Sequence, residues 1–258
     1  VRTAIAEKAD VIFAGAGLPL NLPSFLTKDS KTMLVPIVSS ARAAKLICEK
    51  WLTNYNDRPD ALVVEGPKAG GHLGFKKEQI EDENYSLEHL IPEVVEIAKS
   101  YAEQKNIPVI AAGGISTGKD IARFLKLGAS AAQMGSIFVP TEECDASTEF
   151  KEVYIHSDKK DVRIIQSPVG MPGRAFDGEF IRDVAEGKKK PKSCPFHCIK
   201  TCDYTKSPYC IIKALYNAAI GNLKEGYAFA GQNAYLANKI SSVKEVIAKL
   251  KADFSLSL

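Results

Sequence analysis

Five short apolar runs alternate with helical patterns along the first half of the chain, and this alternation limits the folds that the chain can adopt. The predicted strands are Asp10–Gly15, Leu34–Ser39, Ala61–Gly66, Pro108–Gly113 and Ala131–Ser136. The predicted helices among them are Ala41–Trp51, Glu88–Gln104 and Thr117–Leu127. Near-continuous apolar strands that alternate with helices favour a parallel sheet buried on both faces, which is the core of an α/β fold.

Two of the predicted strands end in glycine-rich turns, and these turns follow one another along the chain. The first is Ala112-Gly113-Gly114-Ile115 and the second is Gln133-Met134-Gly135-Ser136. In (β/α)8 barrels the loops after strands 7 and 8 often bind phosphate through backbone N–H groups. Glycine lets the backbone approach an anion closely, and the Ser136 hydroxyl can donate to a phosphate oxygen. The alternative is that these glycines only ease the turns from strand to helix.

This assignment numbers the five predicted strands as strands 4 to 8 of a barrel. About three β/α units would then precede Val1 or be supplied by another chain. Five barrel strands alone leave two open sheet edges, which stable domains seldom tolerate. We therefore expect a TIM (β/α)8 barrel that lacks its N-terminal three β/α units in this sequence.

The pattern changes after residue 140. Helices are predicted at Asp145–His156, Glu179–Glu186, Tyr209–Ala219 and Ser242–Lys251, and a Gly- and Pro-rich loop is predicted at Ser167–Gly178. We expect residues 1–140 to form the barrel units with the phosphate site. Residues 141–258 are expected to form a helical, cysteine-containing appendage that packs on the barrel.

A glycine-rich segment with one histidine, Glu65–Gly74, follows the third predicted strand. Three of its glycines surround His72, and such a segment is poor packing material. It suits a place where the backbone approaches a ligand and one titratable ring faces that ligand. The alternative is a flexible turn with an incidental histidine.

Four cysteines, Cys194, Cys198, Cys202 and Cys210, lie in one short stretch. Four thiolates suit a tetrahedral zinc ion or an iron–sulfur cluster. Their spacing matches neither the common zinc pattern nor the ferredoxin pattern, so buried free thiols or redox pairs stay as alternatives.

Composition excludes several classes of protein. The chain has 45% hydrophobic residues and a net charge of +3, with no run long enough for a membrane helix and no secretory signal. Lys188–Lys190 is a short cluster that is typical of a solvated loop rather than of a nucleic-acid site. Six cysteines are too few for a secreted disulfide scaffold of this length. We expect a cytoplasmic protein that binds neither nucleic acid nor membranes.

The motifs together resemble those of the nitronate monooxygenase family, formerly called 2-nitropropane dioxygenases, which includes flavin-dependent enoyl-ACP reductases. The resemblance rests on five segments and covers essentially the whole chain. These segments are Glu65–His72, Ala112–Ile115, Gln133–Ser136, Thr141–Ala146 and Ser167–Arg174. It implies a TIM barrel with a small inserted or appended domain and an FMN cofactor.

The resemblance also implies roles for individual residues. His72 matches the catalytic base of the family. The residues that match FMN contacts are Gly71, Gly74, Gly113, Gly114, Gln133, Met134, Gly135 and Ser136. The family's Gln-Gly-Gly-Met strand has no counterpart here, and Lys68 stands where many members have an acidic residue.

The implied activity is oxidation of alkyl nitronates or nitroalkanes with O2, with His72 as general base and FMN carrying the redox chemistry. An alternative is reduction of an enoyl thioester by FMN and NAD(P)H. An alternative of another class is a non-catalytic subunit that binds flavin or metal. The expected partners are a small-molecule substrate and O2. For assembly, the alternatives are a homo-oligomer and a partner chain that supplies the missing barrel strands.

Overall fold

The computed structural model describes residues 1–15, 17–103, 105–198 and 202–257. The chain divides into two compact units, which are described separately. Unit 1 comprises Val1–Pro67, Glu78–Gln133 and Asp253–Leu258, and unit 2 comprises Lys68–Lys77 and Met134–Ala252. The boundary predicted after residue 140 stays a prediction.

The described residues contain strands and helices that are numbered here along the chain. The strands are β1 (Val11–Ala14), β2 (Met33–Val38), β3 (Leu62–Glu65), β4 (Gly71–His72), β5 (Val109–Ala112), β6 (Ala131–Gln133), β7 (Val162–Gln166) and β8 (Pro172–Phe176). The helices are α1 (Arg2–Ala6), α2 (Ala41–Tyr55), α3 (Leu87–Ser100), α4 (Gly118–Lys126), α5 (Thr148–His156), α6 (Glu179–Ala185), α7 (Ile211–Ala219) and α8 (Val243–Ser255). Each predicted helix is present, although its ends differ, and the predicted end at Gln104 lies outside the described residues.

Unit 1 is built on a five-stranded parallel sheet in the order β1-β2-β3-β5-β6. All five strands predicted from the apolar runs are confirmed; four are shorter than predicted, and β2 is shifted by one residue. The strands lie in chain order, without the reversal that marks a doubly wound sheet. The coarse prediction of an α/β fold with a parallel sheet is therefore confirmed, and closure into a TIM barrel stays a prediction.

Two helices of unit 1 begin at side chains that cap them. The Ser40 hydroxyl accepts a hydrogen bond from the Ala43 N–H at 3.2 Å and caps α2. Thr117 and Asp120 form a capping box at the start of α4. One face of α2 buries Ile47, Cys48 and Trp51 in the core of unit 1.

Unit 2 contains an antiparallel sheet in the order β4-β8-β7, which the sequence analysis missed. The predicted loop Ser167–Gly178 is wrong over β8, and the predicted helical appendage also contains this sheet. Glycine and proline are typical of turns, but Pro172 and Gly173 lie within β8. A Cβ at Gly173 would lie 3.0 Å from the Phe229 ring and 3.3 Å from the Gly71 carbonyl oxygen, so this glycine permits close packing within a strand.

Two apolar clusters form the core of unit 2. One contains Phe180, Tyr209 and Tyr227, and the other contains Tyr154 and Phe176. No helix in the described part of the chain is long and apolar enough to cross a membrane.

Candidate active site

The histidine segment of unit 2 is a two-residue strand held by close backbone contacts. In β4, Gly71 pairs with Arg174 and His72 pairs with Gly173 of β8. A Cβ added at Gly70 would lie 2.6 Å from the Gly231 nitrogen, so only glycine fits there. The segment is therefore a fixed strand rather than the flexible turn that was the alternative.

The His72 imidazole has two side-chain neighbours that set its orientation. Its Nε2 lies 2.7 Å from the Ser167 Oγ. The imidazole and the Phe229 ring form an edge-type contact, with 5.0 Å between the ring centroids and 67° between the planes. Burial lowers the pKa of His72 from its ordinary value, because the protonated ring is poorly solvated there. A neutral imidazole at pH 7 is suited to accept a proton.

Two backbone carbonyls and one backbone N–H around His72 are hydrogen-bonded to other parts of unit 2. The buried Arg174 donates from Nη1 to the Ala69 carbonyl oxygen at 3.1 Å. The Gln232 N–H donates to the Lys68 carbonyl at 3.0 Å, and the Leu73 N–H donates to the Pro172 carbonyl at 2.9 Å. These bonds fix the backbone on both sides of His72.

Ser136 retains a hydroxyl proton that an anion can accept. Its Oγ accepts a hydrogen bond from the Gly231 N–H at 3.0 Å. A serine hydroxyl has one proton to donate as well as lone pairs to accept, so this bond leaves the donor function available. A Cβ at the preceding Gly135 would meet no atom within 4 Å, and the same holds at Gly71. Open space therefore lies beside both glycines.

In unit 1 the glycine turn after β5 lies at the carboxyl edge of the parallel sheet. Gly113 and Gly114 have φ values of +97° and +78°, which residues with a Cβ rarely adopt. Gln133 pairs with Ala112 on the neighbouring strand. The carboxyl edge of a parallel sheet is where α/β proteins usually bind ligands.

Glu65 is a titratable group that the sequence analysis did not single out. It ends β3 and pairs with Ala112 of β5, at the same edge of the unit 1 sheet. Burial raises the pKa of its carboxyl from 4.5 to about 7. A carboxyl with that pKa is partly protonated at neutral pH, when it can donate as well as accept a hydrogen bond.

The four clustered cysteines line one small cavity of unit 2, together with Tyr209 and Val169. Desolvation and the nearby Cys194, Cys198 and Cys210 raise the pKa of the exposed Cys202 thiol. Among the described residues, no group of three or more His, Cys, Asp or Glu side chains is arranged to hold a metal ion. The metal predicted at these four cysteines is thus not supported. Residues 199–201 of the stretch lie outside the described residues.

The predicted site residues are divided between the two units. Gly113, Gly114 and Gln133 lie in unit 1. Unit 2 contains Gly71, His72, Gly74, Met134, Gly135 and Ser136. Within unit 2 the structure adds three residues that sequence reasoning did not assign to the site, namely Ser167, Arg174 and Phe229. The resemblance motif Ser167–Arg174 was a signal for two of them, whereas Phe229 had none.

The chain is similar to proteins of one family along most of its length. A family model described as nitronate monooxygenase matches residues 1–253. A Staphylococcus saprophyticus protein described as "Probable nitronate monooxygenase" is 31% identical over 140 residues, covering 54% of this chain and 38% of that protein. A Staphylococcus aureus protein with the same description is 25% identical over 238 residues, covering 92% of this chain and 61% of that protein. The chain thus spans roughly two fifths to three fifths of these relatives.

A solved structure, FabK from Thermotoga maritima, is similar to this chain over almost all of its residues. It matches 99% of this chain and 71% of its own chain, with a TM-score of 0.75 and 27% sequence identity.

Proposed function

Because the chain belongs to the nitronate monooxygenase family, we propose that it acts as an FMN-dependent oxidoreductase that oxidises alkyl nitronates or nitroalkanes with O2. The motifs predicted this family, and the match over residues 1–253 confirms the prediction. The observation that carries the proposed activity is the His72 imidazole, which is fixed by Ser167 and Phe229 and has a lowered pKa.

The residues of each unit fit the FMN that we propose. In unit 2, the Ser136 hydroxyl keeps a proton for a phosphate oxygen, and a Cβ at Gly71 or Gly135 would meet only open space. In unit 1, the positive φ values of Gly113 and Gly114 suit a turn whose N–H groups receive an anion. FMN, when bound, would supply the redox chemistry of the proposed reaction.

We propose that His72 accepts the α-proton of a neutral nitroalkane. A general base must be unprotonated to accept a proton, and the lowered pKa keeps His72 neutral at pH 7. Hydrogen bonds to Lys68, Ala69 and Leu73 limit movement of the backbone that carries the ring. The imidazole is therefore oriented before substrate arrives, which lowers the entropic part of the barrier.

Replacing His72 by Ala tests this function. We expect turnover of neutral nitroalkanes to fall by about 10²-fold or more, the usual size of a general-base contribution. Bound flavin, measured by its visible absorption, should remain. Gly178→Ala is the matched control, because a Cβ there would meet no atom within 4 Å. Unchanged turnover in His72→Ala would exclude the proposed role of His72, whereas a flavin-loaded wild type without turnover would favour a non-catalytic flavin-binding subunit.

A second candidate is the reduction of an enoyl thioester by NAD(P)H, which the likeness to FabK favours. The two activities differ in their need for oxygen. Turnover of an enoyl thioester with NAD(P)H under anaerobic conditions would support the second candidate. Oxygen-dependent turnover of a nitronate would support the first.

The setting of the protein is also part of the proposal. All six cysteines lie in described segments and are free thiols, which suits the reducing cytoplasmic setting that we propose. Assembly into a homo-oligomer or with a partner chain stays a prediction.

A further inference from the structure

A groove on unit 2 brings lysines of one loop together with helix α7. The groove has a volume of about 680 Å³ and is lined mainly by the segment 188–196 and by residues of α7. Five lysines lie along it, namely Lys188, Lys189, Lys190, Lys192 and Lys213. Glu225 is the one carboxylate among the described residues that line it. The groove is therefore rich in positive charge.

Two of the five lysines are neutralised by carboxylates of unit 2. Lys189 Nζ lies 2.9 Å from Glu225 Oε1 and 3.5 Å from Asp183 Oδ2. Lys188 pairs with Asp183 at 3.5 Å and also with Glu186. These two lysines hold the loop and do not add free charge to the groove.

The other three lysines keep a positive charge that the protein does not compensate. Lys190, Lys192 and Lys213 are exposed, and within the described ranges none of them forms an ion pair. Like charges that are brought together on one surface repel one another, so an anionic partner is favoured there. The groove thus selects for negative charge in whatever binds to it.

Helix α7 adds an exposed apolar stripe beside these lysines. Its buried face belongs to an apolar cluster of unit 2. Ile212, Tyr216 and Ile220 are 38%, 65% and 55% exposed, and their spacing of four residues places them along one side of the helix. Surface helices usually carry polar residues on their outer face, so exposed apolar residues at this spacing indicate a binding surface. These three residues are called the α7 stripe below.

The α7 stripe and the lysines belong to the same surface. Tyr216 lines the groove together with Lys213, which lies three residues before it on α7. Phe196, which is 49% exposed, also lines the groove and comes from the lysine-containing segment. Aromatic side chains are enriched in protein interfaces. A ligand that fills the groove therefore meets both free ammonium groups and exposed apolar side chains.

We propose that this groove is a docking site for a partner protein that presents an acidic amphipathic helix. The apolar face of that helix packs on the α7 stripe, and its carboxylates pair with Lys190, Lys192 and Lys213. The stripe extends roughly 12 Å along α7, at 1.5 Å per residue, which is a little over two helical turns. Helices that bind in grooves use apolar anchors three or four residues apart, as this stripe requires. The inference does not depend on the activity proposed for His72.

The shape and composition of the groove favour a helix over other anionic ligands. A free phosphate or nucleotide would pair with the lysines but would leave the α7 stripe exposed to water. An anionic membrane suits lysines beside apolar residues, but a flat surface does not enter a groove. A second copy of this chain has a net charge of +3, which repels an identical copy.

Binding of a synthetic peptide to the purified protein tests the proposal. The probe is a fluorescein-labelled helix of roughly 18 residues, with leucines along one face and glutamates on its flanks, followed by fluorescence anisotropy. We expect a Kd on the order of 10 µM that rises with salt, because exposed charges are screened. The triple variant Lys190→Glu, Lys192→Glu and Lys213→Glu should raise the Kd about tenfold or more. Tyr216→Ala should raise it roughly fivefold or more.

Matched control variants carry the same changes outside the groove. Lys244→Glu, Lys249→Glu and Lys251→Glu together change the net charge equally, at exposed positions of α8 that do not line the groove. Leu236→Ala removes an exposed apolar side chain elsewhere in unit 2. Each control should change the Kd by less than about twofold, since distant exposed charges are screened. All replaced side chains are exposed, and thermal unfolding should confirm that every variant is folded.

Four results would overturn the inference. Equal losses in the groove variants and their controls would show that the groove is not the binding site. A probe with alanines in place of its leucines that binds equally well would show that only charge is recognised. Tighter binding to phosphatidylglycerol vesicles than to the probe, lost in the same variants, would identify a membrane surface. Self-association in sedimentation experiments that the triple groove variant abolishes would identify a second copy of the chain.

Discussion

Replacing Glu65 by Gln should make unit 1 more stable at neutral and alkaline pH. Burial raises the pKa of this carboxyl to about 7, against 4.5 when it is exposed. Below pH 4.5 the carboxyl is protonated in both the folded and unfolded states, so no charge is buried and its titration does not lower the free energy of unfolding. Between these pH values the folded state binds more protons, and stability falls as pH rises. Above about pH 7 the carboxyl is ionised in both states, and the full cost of burying its charge lowers the free energy of unfolding.

The magnitude follows from the difference between the two pKa values. One pKa unit corresponds to about 1.4 kcal/mol, so the shift sets a ceiling of about 3 kcal/mol on the penalty at pH 8. The Gln amide must also be desolvated on folding, and this offsets part of the stabilisation that comes from removing the buried charge. We therefore expect the free energy of unfolding of Glu65→Gln to exceed that of the wild type by about 1 to 2 kcal/mol at pH 8 and to be almost equal to it at pH 4.5.

Trp51 allows this stability to be measured in the unit that contains Glu65. It is the single tryptophan of the chain, it is 0% exposed, and it lies in unit 1. Urea unfolding followed by its fluorescence, at several pH values from 4.5 to 8, gives the difference between variant and wild type. Glu93→Gln, an exposed position on α3, is the control and should change stability by less than about 0.5 kcal/mol throughout. A Glu65→Gln difference that is equal at pH 4.5 and pH 8 would show that burial does not perturb this carboxyl.

Three further outcomes are expected. Gly114→Asp should weaken flavin binding at least tenfold, as followed by flavin fluorescence, because it adds a carboxylate where we propose a phosphate. Gly187→Asp, at a similar φ of +76° with open surroundings, should not weaken it, and equal binding in both variants would reject the phosphate assignment. Gly70→Ala should cost about 2 kcal/mol or more, because its Cβ would lie 2.6 Å from a backbone nitrogen, whereas Gly178→Ala should melt like the wild type. Because burial lowers the pKa of His72, kcat/KM for neutral nitroalkanes should rise with pH to a plateau whose midpoint lies below about 6.5, and a midpoint above this value would contradict the reasoning.

The sheet of unit 1 was predictable because its strands carry their signal locally. The central strands β2 and β3 are near-continuous apolar runs, as strands buried on both faces require, and the run alone is enough to identify them. The strand β4 has two residues, too few for any alternation to be visible. Its pairing depends on β8, whose Pro172 and Gly173 locally favour a turn.

The partners of His72 were not predictable for a related reason. Ser167 lies 95 residues further along the chain, and no periodic pattern relates positions at that distance. Serine and phenylalanine are also common residues, so neither Ser167 nor Phe229 stands out by type. Only the family motif that contains Ser167 offered a signal, and it did not specify a contact with the histidine.

Glycines near His72 perform two different tasks, which the sequence motif does not distinguish. A Cβ at Gly70 or Gly173 would meet protein atoms within 3.0 Å, so these two allow backbone segments to approach one another. A Cβ at Gly71 or Gly135 would meet nothing within 4 Å, so these two border space that a ligand can fill. The first pair fixes the imidazole in place, and the second pair keeps its surroundings accessible. An Ala at Gly70 should therefore disturb folding first, whereas an Ala at Gly135 should disturb ligand binding while the fold remains.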